Sequence, residues 1–214
     1  MGQWQMRNQR RANLVLLACA FIVAQSAAAQ TETARNFLKA APENLAWWRE
    51  ARFGMFIHWG PVSLKGTEIG WSRGGERRGR GGKGEIPAEV YDTLYKEFNP
   101  VEFDAREWVA IAQASGMKYL VFTAKHHDGF SMFESKLTDY TITNSPFRRD
   151  VSKELADACH NAGVRIGFYY SPADWRHPDY RTENHARYIG YMHGQVRELC
   201  SNYGDIDILW FDSL

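Results

Sequence analysis

The sequence predicts an α/β fold, and within that class the first four strand–helix units of a (β/α)8-like barrel. Three observations carry this expectation. The order strand, helix, glycine, strand occurs three times, with Gly116, Gly163 and Gly204 ahead of the second, third and fourth strands. Such alternation belongs to parallel strands joined by right-handed helical crossovers. The chemically informative side chains stand at strand C-terminal ends, where barrels and doubly wound sheets build their sites. No Gly-rich phosphate fingerprint follows the first strand, which favours the barrel over a dinucleotide-binding sheet.

The first 29 of the 214 residues read as an export signal rather than as part of the fold. Arg7, Arg10 and Arg11 form a basic region, Leu14 to Val23 an apolar run, and Ala27 to Ala29 a small-residue cleavage site. The apolar run is too short to span a bilayer. Acylation at Cys19 would leave only Leu14 to Leu17 as the apolar region, so cleavage after Ala29 is the reading adopted. Removing this segment leaves 23 Lys and Arg against 25 Asp and Glu, a net charge of −2. Nothing in that balance asks for nucleic acid, and beyond the signal nothing asks for a membrane. Cys159 and Cys200 fall inside expected helices and are read as buried free thiols.

Residues 30–214 are expected to form one domain. Thr31 to Ala41 is a short helical lead-in ended by Pro42, and Asn44 to Arg52 a second short helix. Phe53 to Pro61 is the first strand, with His58 and Trp59 at its end. Arg73 to Gly84 is almost purely Gly, Arg, Glu and Lys, and is read as a mobile surface loop facing the pocket. Pro87 to Phe98 is helical. Asp104-Ala-Arg-Glu107 has the capping-box pattern and opens a helix that runs to Ser115. Lys118 to Lys125 is the second strand, tipped by His126-His127-Asp128-Gly129. A helix from about Ser152 to Gly163 precedes the third strand, Val164 to Tyr170. A helix from about Thr182 to Tyr203 leads into the last strand, which delivers Trp210 and Asp212.

Asp212 alone would equally suit a turn. Three further strands tipped with His58, with His126 and His127, and with Tyr169 or Tyr170 make coincidence a poor explanation. Polar rings that bond hydroxyls, beside aromatics that cover an apolar face, suit a concave carbohydrate pocket. Eight tryptophans and an aromatic content of 14% fit such stacking, though they fit any large core as well. A metal is not expected. Adjacent His126 and His127 on a strand cannot easily face one ion, and neither zinc-ligand spacing nor a His-x-His on the first strand occurs.

Four motifs, Arg52-Phe-Gly-Met-Phe-Ile-His-Trp-Gly60, Lys125-His-His-Asp-Gly-Phe130, Gly167-Phe-Tyr-Tyr-Ser171 and Leu209-Trp-Phe-Asp212, closely resemble those of the α-L-fucosidases of glycoside hydrolase family 29. Arg149-Asp150 fits as well, and the resemblance runs from about Trp47 to the end of the chain. It implies a retaining, exo-acting enzyme on a (β/α)8-like barrel, usually followed by a β-sandwich domain. His58, His126, His127 and Tyr169 would then hold the fucose, Trp210 would line the pocket, and Asp212 would be the nucleophile. The first tyrosine of the pair is chosen on the resemblance, since strand parity leaves the two open. In many members a Glu-Trp pair after the first strand touches the sugar. The nearest match here is Glu68-Ile-Gly-Trp71, with two residues inserted.

The implied reaction needs a second carboxylic acid about 5–5.5 Å from the first. In the family it is a Glu that follows the nucleophile strand, so it is expected outside this sequence, and these 214 residues alone are expected to fold poorly and to be inactive. Two other readings remain: a fucose-binding module without catalysis, and a metal-dependent hydrolase on the same barrel.

Overall fold

The computed structural model describes residues 40–77 and 83–212. The expected export signal lies outside the described residues, as does nearly all of the Thr31 to Ala41 lead-in. The chain divides into two compact units, residues 1–50 and 51–214. The described part of the first is mostly one helix, α1 (Pro42–Ala51), in which the rings of Trp47 and Trp48 meet edge to face.

The second unit holds a four-stranded sheet of β1 (Met55–Ile57), β2 (Tyr119–Lys125), β3 (Arg165–Tyr170) and β4 (Ile208–Phe211). The strands lie in sequence order and every neighbouring pair is parallel. Between them run α2 (Ala88–Tyr91), α3 (Ala105–Ala114), α4 (Val151–Ala162) and α5 (His185–Asn202). The α/β class with parallel strands is as the alternation predicts.

Local chemistry explains the boundaries. Asp104 caps α3 by accepting from the amides of Arg106 and Glu107, and Asp150 caps α4 by accepting from Lys153. Gly163 ends α4 in the left-handed conformation, φ 66°, which a residue with a Cβ adopts only at a cost. Three expectations need correcting. The first strand is only three residues long, because Gly60-Pro61 turns the chain into a 3₁₀ turn, Pro61–Lys65. Pro87 to Phe98 is not one helix. A single α turn is followed by a 3₁₀ turn, Leu94–Lys96. Cys159 is buried as expected, whereas Cys200 is exposed, because it lies on the solvent side of α5; both are free thiols.

The Arg73 to Gly84 segment is also corrected, for its described residues. Arg73 and Arg77 are buried, and Arg73 makes a bidentate pair with Asp92 at 2.6 and 2.7 Å. Backbone bonds from Gly74 to Ile86 and from Gly84 to Arg73 close its base. Composition suggested weak ordering, but two guanidinium groups with specific acceptors tie residues 73–77 to the body of the unit.

Alternation along the strands sorts the side chains onto two faces. Leu120, Phe122, Ile166 and Phe168 belong to the main core, together with Val109 of α3 and Leu155 and Cys159 of α4. Phe56, Thr123, Tyr169 and Trp210 take the opposite face, as their register pairs require. That second face carries the strand-tip residues. The central strands β2 and β3 are buried, while the edge strands β1 and β4 leave Phe56, Trp210 and Phe211 between 37% and 43% exposed.

Candidate active site

The carboxylate of Asp212 is the focus of the strand tips. Tyr169, inward-facing on β3, donates its phenolic hydrogen to Asp212 Oδ2 at 2.9 Å. Burial and the nearby carboxylate raise the pKa of this phenol, so it stays protonated and remains a donor. The Nε2 of His127 stands 3.8 Å from the same oxygen. Tyr170 faces the other way and donates to Gln195 Oε1 at 2.7 Å. Of the two tyrosines that strand parity left open, Tyr169 is therefore the one beside Asp212.

His58, one residue past β1, stacks on Phe56 at a ring separation of 5.0 Å and stands 5.1 Å from Tyr169 and 5.4 Å from His126. His126 stacks on Tyr169 at 5.4 Å with 15° between the planes. Burial holds both histidines below their usual pKa. The Asp212 charge partly offsets this for His58, and neighbouring His127 adds to it for His126. Both are thus neutral imidazoles near pH 7, able to give one hydrogen bond and accept another. The Nδ1 of His126 is buried with no hydrogen-bond partner among the described residues.

Adjacent His126 and His127 stand side by side just past the end of β2. Their rings are only 4.2 Å apart, because β2 ends at Lys125 and strand parity no longer applies. The two open a turn closed by Gly129 N–H bonding to His126 O at 3.0 Å. Among the described residues, no group of three His, Cys, Asp or Glu could hold a metal ion.

His58, His126 and Asp212 line a cavity of about 470 Å³ together with Glu68, Ile69 and Trp71. That volume falls in the range of small-ligand sites. Glu68 and Trp71 reach the wall despite the two residues between them, and Trp71 meets the rings of His127 and Trp175 edge to face, each at 5.2 Å. Trp210 lies one inward position before Asp212, edge-on to Phe56 at 5.2 Å, outside the wall that these residues form.

Sequence reasoning missed the groups that hold these residues in place. His127 Nδ1 is 2.5 Å from Ser171 Oγ. Lys125, wholly buried, pairs with Asp174 at 3.2 Å, and Asp174 also accepts from the amides of Arg176 and His177. Asp128 accepts from Tyr91 at 2.7 Å and from Phe130 N at 3.1 Å, and its burial pushes its pKa up to about 6. A lysine closing an apolar strand is a signal that an acid must be near, but nothing in the spacing names Asp174.

Residues 19–214 match the profile of the alpha-L-fucosidases. The chain belongs to that family. Human plasma alpha-L-fucosidase is 34% identical over 189 residues, which cover 78% of this chain and 39% of that protein. Among solved structures, alpha-L-fucosidase isoenzyme 1 from Paenibacillus thiaminolyticus is 45% identical with a TM-score of 0.72, covering 80% of this chain and 43% of that one. The glycoside hydrolase family 29 alpha-L-fucosidase from Bacteroides thetaiotaomicron, trapped as a covalent intermediate in complex with 2-fluoro-fucosyl fluoride, is 32% identical with a TM-score of 0.69 over 81% of this chain and 42% of that one. This fucosidase-family chain thus spans less than half the length of these relatives.

Proposed function

We propose that these residues are the nucleophile-bearing part of an exported, exo-acting, retaining alpha-L-fucosidase that removes terminal fucose from glycans, built on a (β/α)8 barrel whose first four units they form. The observation that carries this reading is the setting of Asp212: a carboxylate on the cavity wall, held by the Tyr169 phenol at 2.9 Å and flanked by His127. A cap or a salt-bridge partner would not need an open face toward a cavity. The covalent intermediate trapped in the Bacteroides relative supports the same chemistry.

In this mechanism Asp212 attacks the anomeric carbon as the bond to the leaving oxygen breaks, through an oxocarbenium-like transition state. The product is a fucosyl ester of Asp212. A second carboxylic acid, a Glu that follows the nucleophile strand in the family, protonates the leaving oxygen. It then takes a proton from the water that cleaves the ester. His58 and His126, being neutral, pair with sugar hydroxyls without adding charge, and His127 and Tyr169 orient the carboxylate. Trp71 supplies an apolar face and Glu68 accepts from hydroxyls, while Trp210 packs edge-on against Phe56 beside the cavity.

The test is hydrolysis of an aryl α-L-fucoside by the product of the complete coding region, followed by NMR of the released sugar. Retention of the α anomer is expected. Asp212→Ala should lose at least about a thousandfold in kcat, with azide restoring turnover and giving the β-fucosyl azide. Inversion, or full activity in Asp212→Ala, would sink the proposal. Binding of L-fucose without turnover would favour the binding-module reading.

A further inference from the structure

We infer that Tyr91 is a positioning residue for the sugar pocket, a buried strut that holds the Glu68–Trp71 segment against the His126 ring. The inference rests on the fucosidase reading above and extends it to what sets the pocket's wall.

Three segments distant in sequence meet on one phenol. The Gly70 amide donates to Tyr91 Oη at 2.8 Å, and Tyr91 donates its hydrogen to Asp128 Oδ2 at 2.7 Å. The directions are fixed, because an amide can only donate and a phenol has one hydrogen to give. The other oxygen of Asp128 is held by Phe130 N–H. The segment after β1 is thereby tied through α2 to the turn that carries both histidines. Tyr91 is 2% exposed, so water does not compete for these bonds.

Gly70 could not be replaced without moving the wall. Its φ is +69°, and a Cβ there would lie 2.4 Å from His126 Nδ1, so backbone is pressed directly on the ring. Ile69 packs on the small cluster of Val62, Leu94 and Tyr91 itself. The two residues form a tight turn, closed by Trp71 N–H bonding to Ile69 O at 2.7 Å and Ser72 N–H to Glu68 O at 3.2 Å. This explains how Glu68 and Trp71, separated by an insertion, both border the cavity. The inserted residues carry their own anchor, and Tyr91 is its fixed end.

A Tyr91 that only filled space would be served equally well by phenylalanine. The test is Tyr91→Phe in the complete enzyme, with an aryl α-L-fucoside as probe. Loss of the strut is expected to raise KM roughly tenfold while kcat stays within about twofold, the signature of weakened uniform binding. In a Glu68→Gln/Trp71→Phe background the same change should raise KM less than about twofold further, because the groups it positions are already altered. A KM unchanged in Tyr91→Phe, or the full tenfold persisting in that background, overturns the strut. Should Tyr91→Phe fail to fold, Asp128→Asn, which gives up one of two acceptor oxygens, is read through the same cycle with the same criteria. A parent enzyme that neither cleaves the fucoside nor binds L-fucose overturns the reading of the site and this inference with it. A parent that cleaves while Tyr91→Phe keeps its KM overturns the strut alone.

Discussion

Tyr169 gives its phenolic hydrogen to Asp212 at 2.9 Å, while the adjacent Tyr170 gives its own to Gln195 on the other face of the sheet. Two neighbours of the same residue type therefore serve different ends, and phenylalanine substitutions separate them. Asp212 is 47% exposed, so its bond to Tyr169 is worth less than a fully buried one. Tyr169→Phe should cost about 1–2 kcal/mol of transition-state stabilisation, or about tenfold in kcat/KM, with little change in unfolding midpoint. Tyr170→Phe takes the donor from the buried Gln195 Oε1, while Gln195 Nε2 keeps Ser131 and Ser135, and should lose about 1–3 kcal/mol in urea unfolding. Its kcat/KM should stay within about twofold. The reverse pattern would place the wrong tyrosine in the site.

The neutral His126 makes stability depend on pH in a defined direction. Burial holds its folded pKa well below the 6.5 it has when unfolded, so the unfolded chain takes up a proton that the folded one refuses. Stability from this group is present above pH 6.5 and is lost as pH falls below it, at up to about 1.4 kcal/mol per unit. His126→Asn should therefore flatten the decline of unfolding free energy between about pH 6.5 and 5. An equally steep decline in the variant would show that His126 is not the group concerned.

Arg73 and Asp92 test how firmly the arginine-rich segment is tied. The Arg73 side chain is 8% exposed and its partner 22%. Asp92→Ala leaves a buried guanidinium without its carboxylate and should cost about 3 kcal/mol. Arg176 approaches Asp92 only at 3.7 Å with its side chain 43% exposed, so Arg176→Ala should cost less than about 1 kcal/mol. Trypsin should cut after Arg73 and Arg77 much faster in Asp92→Ala than in the parent. Equal cutting in both would return the segment to the mobile loop its composition suggested.

That segment marks where the sequence stops being legible. Strand order, the residues at the strand tips and the capped helix starts follow from periodicity and local chemistry, and so could be read directly. Burial of Arg73 could not, because its partner Asp92 lies 19 residues away on another element. The convergence of His126 and His127 was hidden for a different reason. Parity holds only while the strand lasts, and β2 ends one residue before them. The struts behind the site, Tyr91 on Asp128 and Ser171 on His127, join segments that are 37 and 44 residues apart. Such pairings are set by the fold and leave no local pattern.

Lys125 and Asp174 are a pair of this kind, and their mutual dependence is measurable. Their side chains are 0% and 3% exposed and their charges meet at 3.2 Å. Burial lowers the lysine's pKa while Asp174 opposes that shift, so the ammonium depends on this carboxylate to remain charged. Lys125 also sits over the Tyr170 ring at 4.7 Å. Removing one partner strands the other, but unequally. Without Lys125, the aspartate keeps two backbone amides. Without the carboxylate, the ammonium keeps the Ala173 carbonyl at 3.5 Å and the faces of the Tyr170 and Tyr188 rings, none of them a charged partner. Asp174→Asn should thus cost about 3–5 kcal/mol and Lys125→Met about 2–3 kcal/mol. The double variant should cost at least about 2 kcal/mol less than their sum, because no charge is left stranded. Unfolding in urea of the four proteins gives that coupling. The site should respond as well, since the chain on either side of the pair holds its histidines: Trp175 N–H bonds His127 O at 2.8 Å, and Ser171 N–H bonds Lys125 O at 2.9 Å. Strictly additive losses would mean that the two charges are held by their surroundings and not by each other.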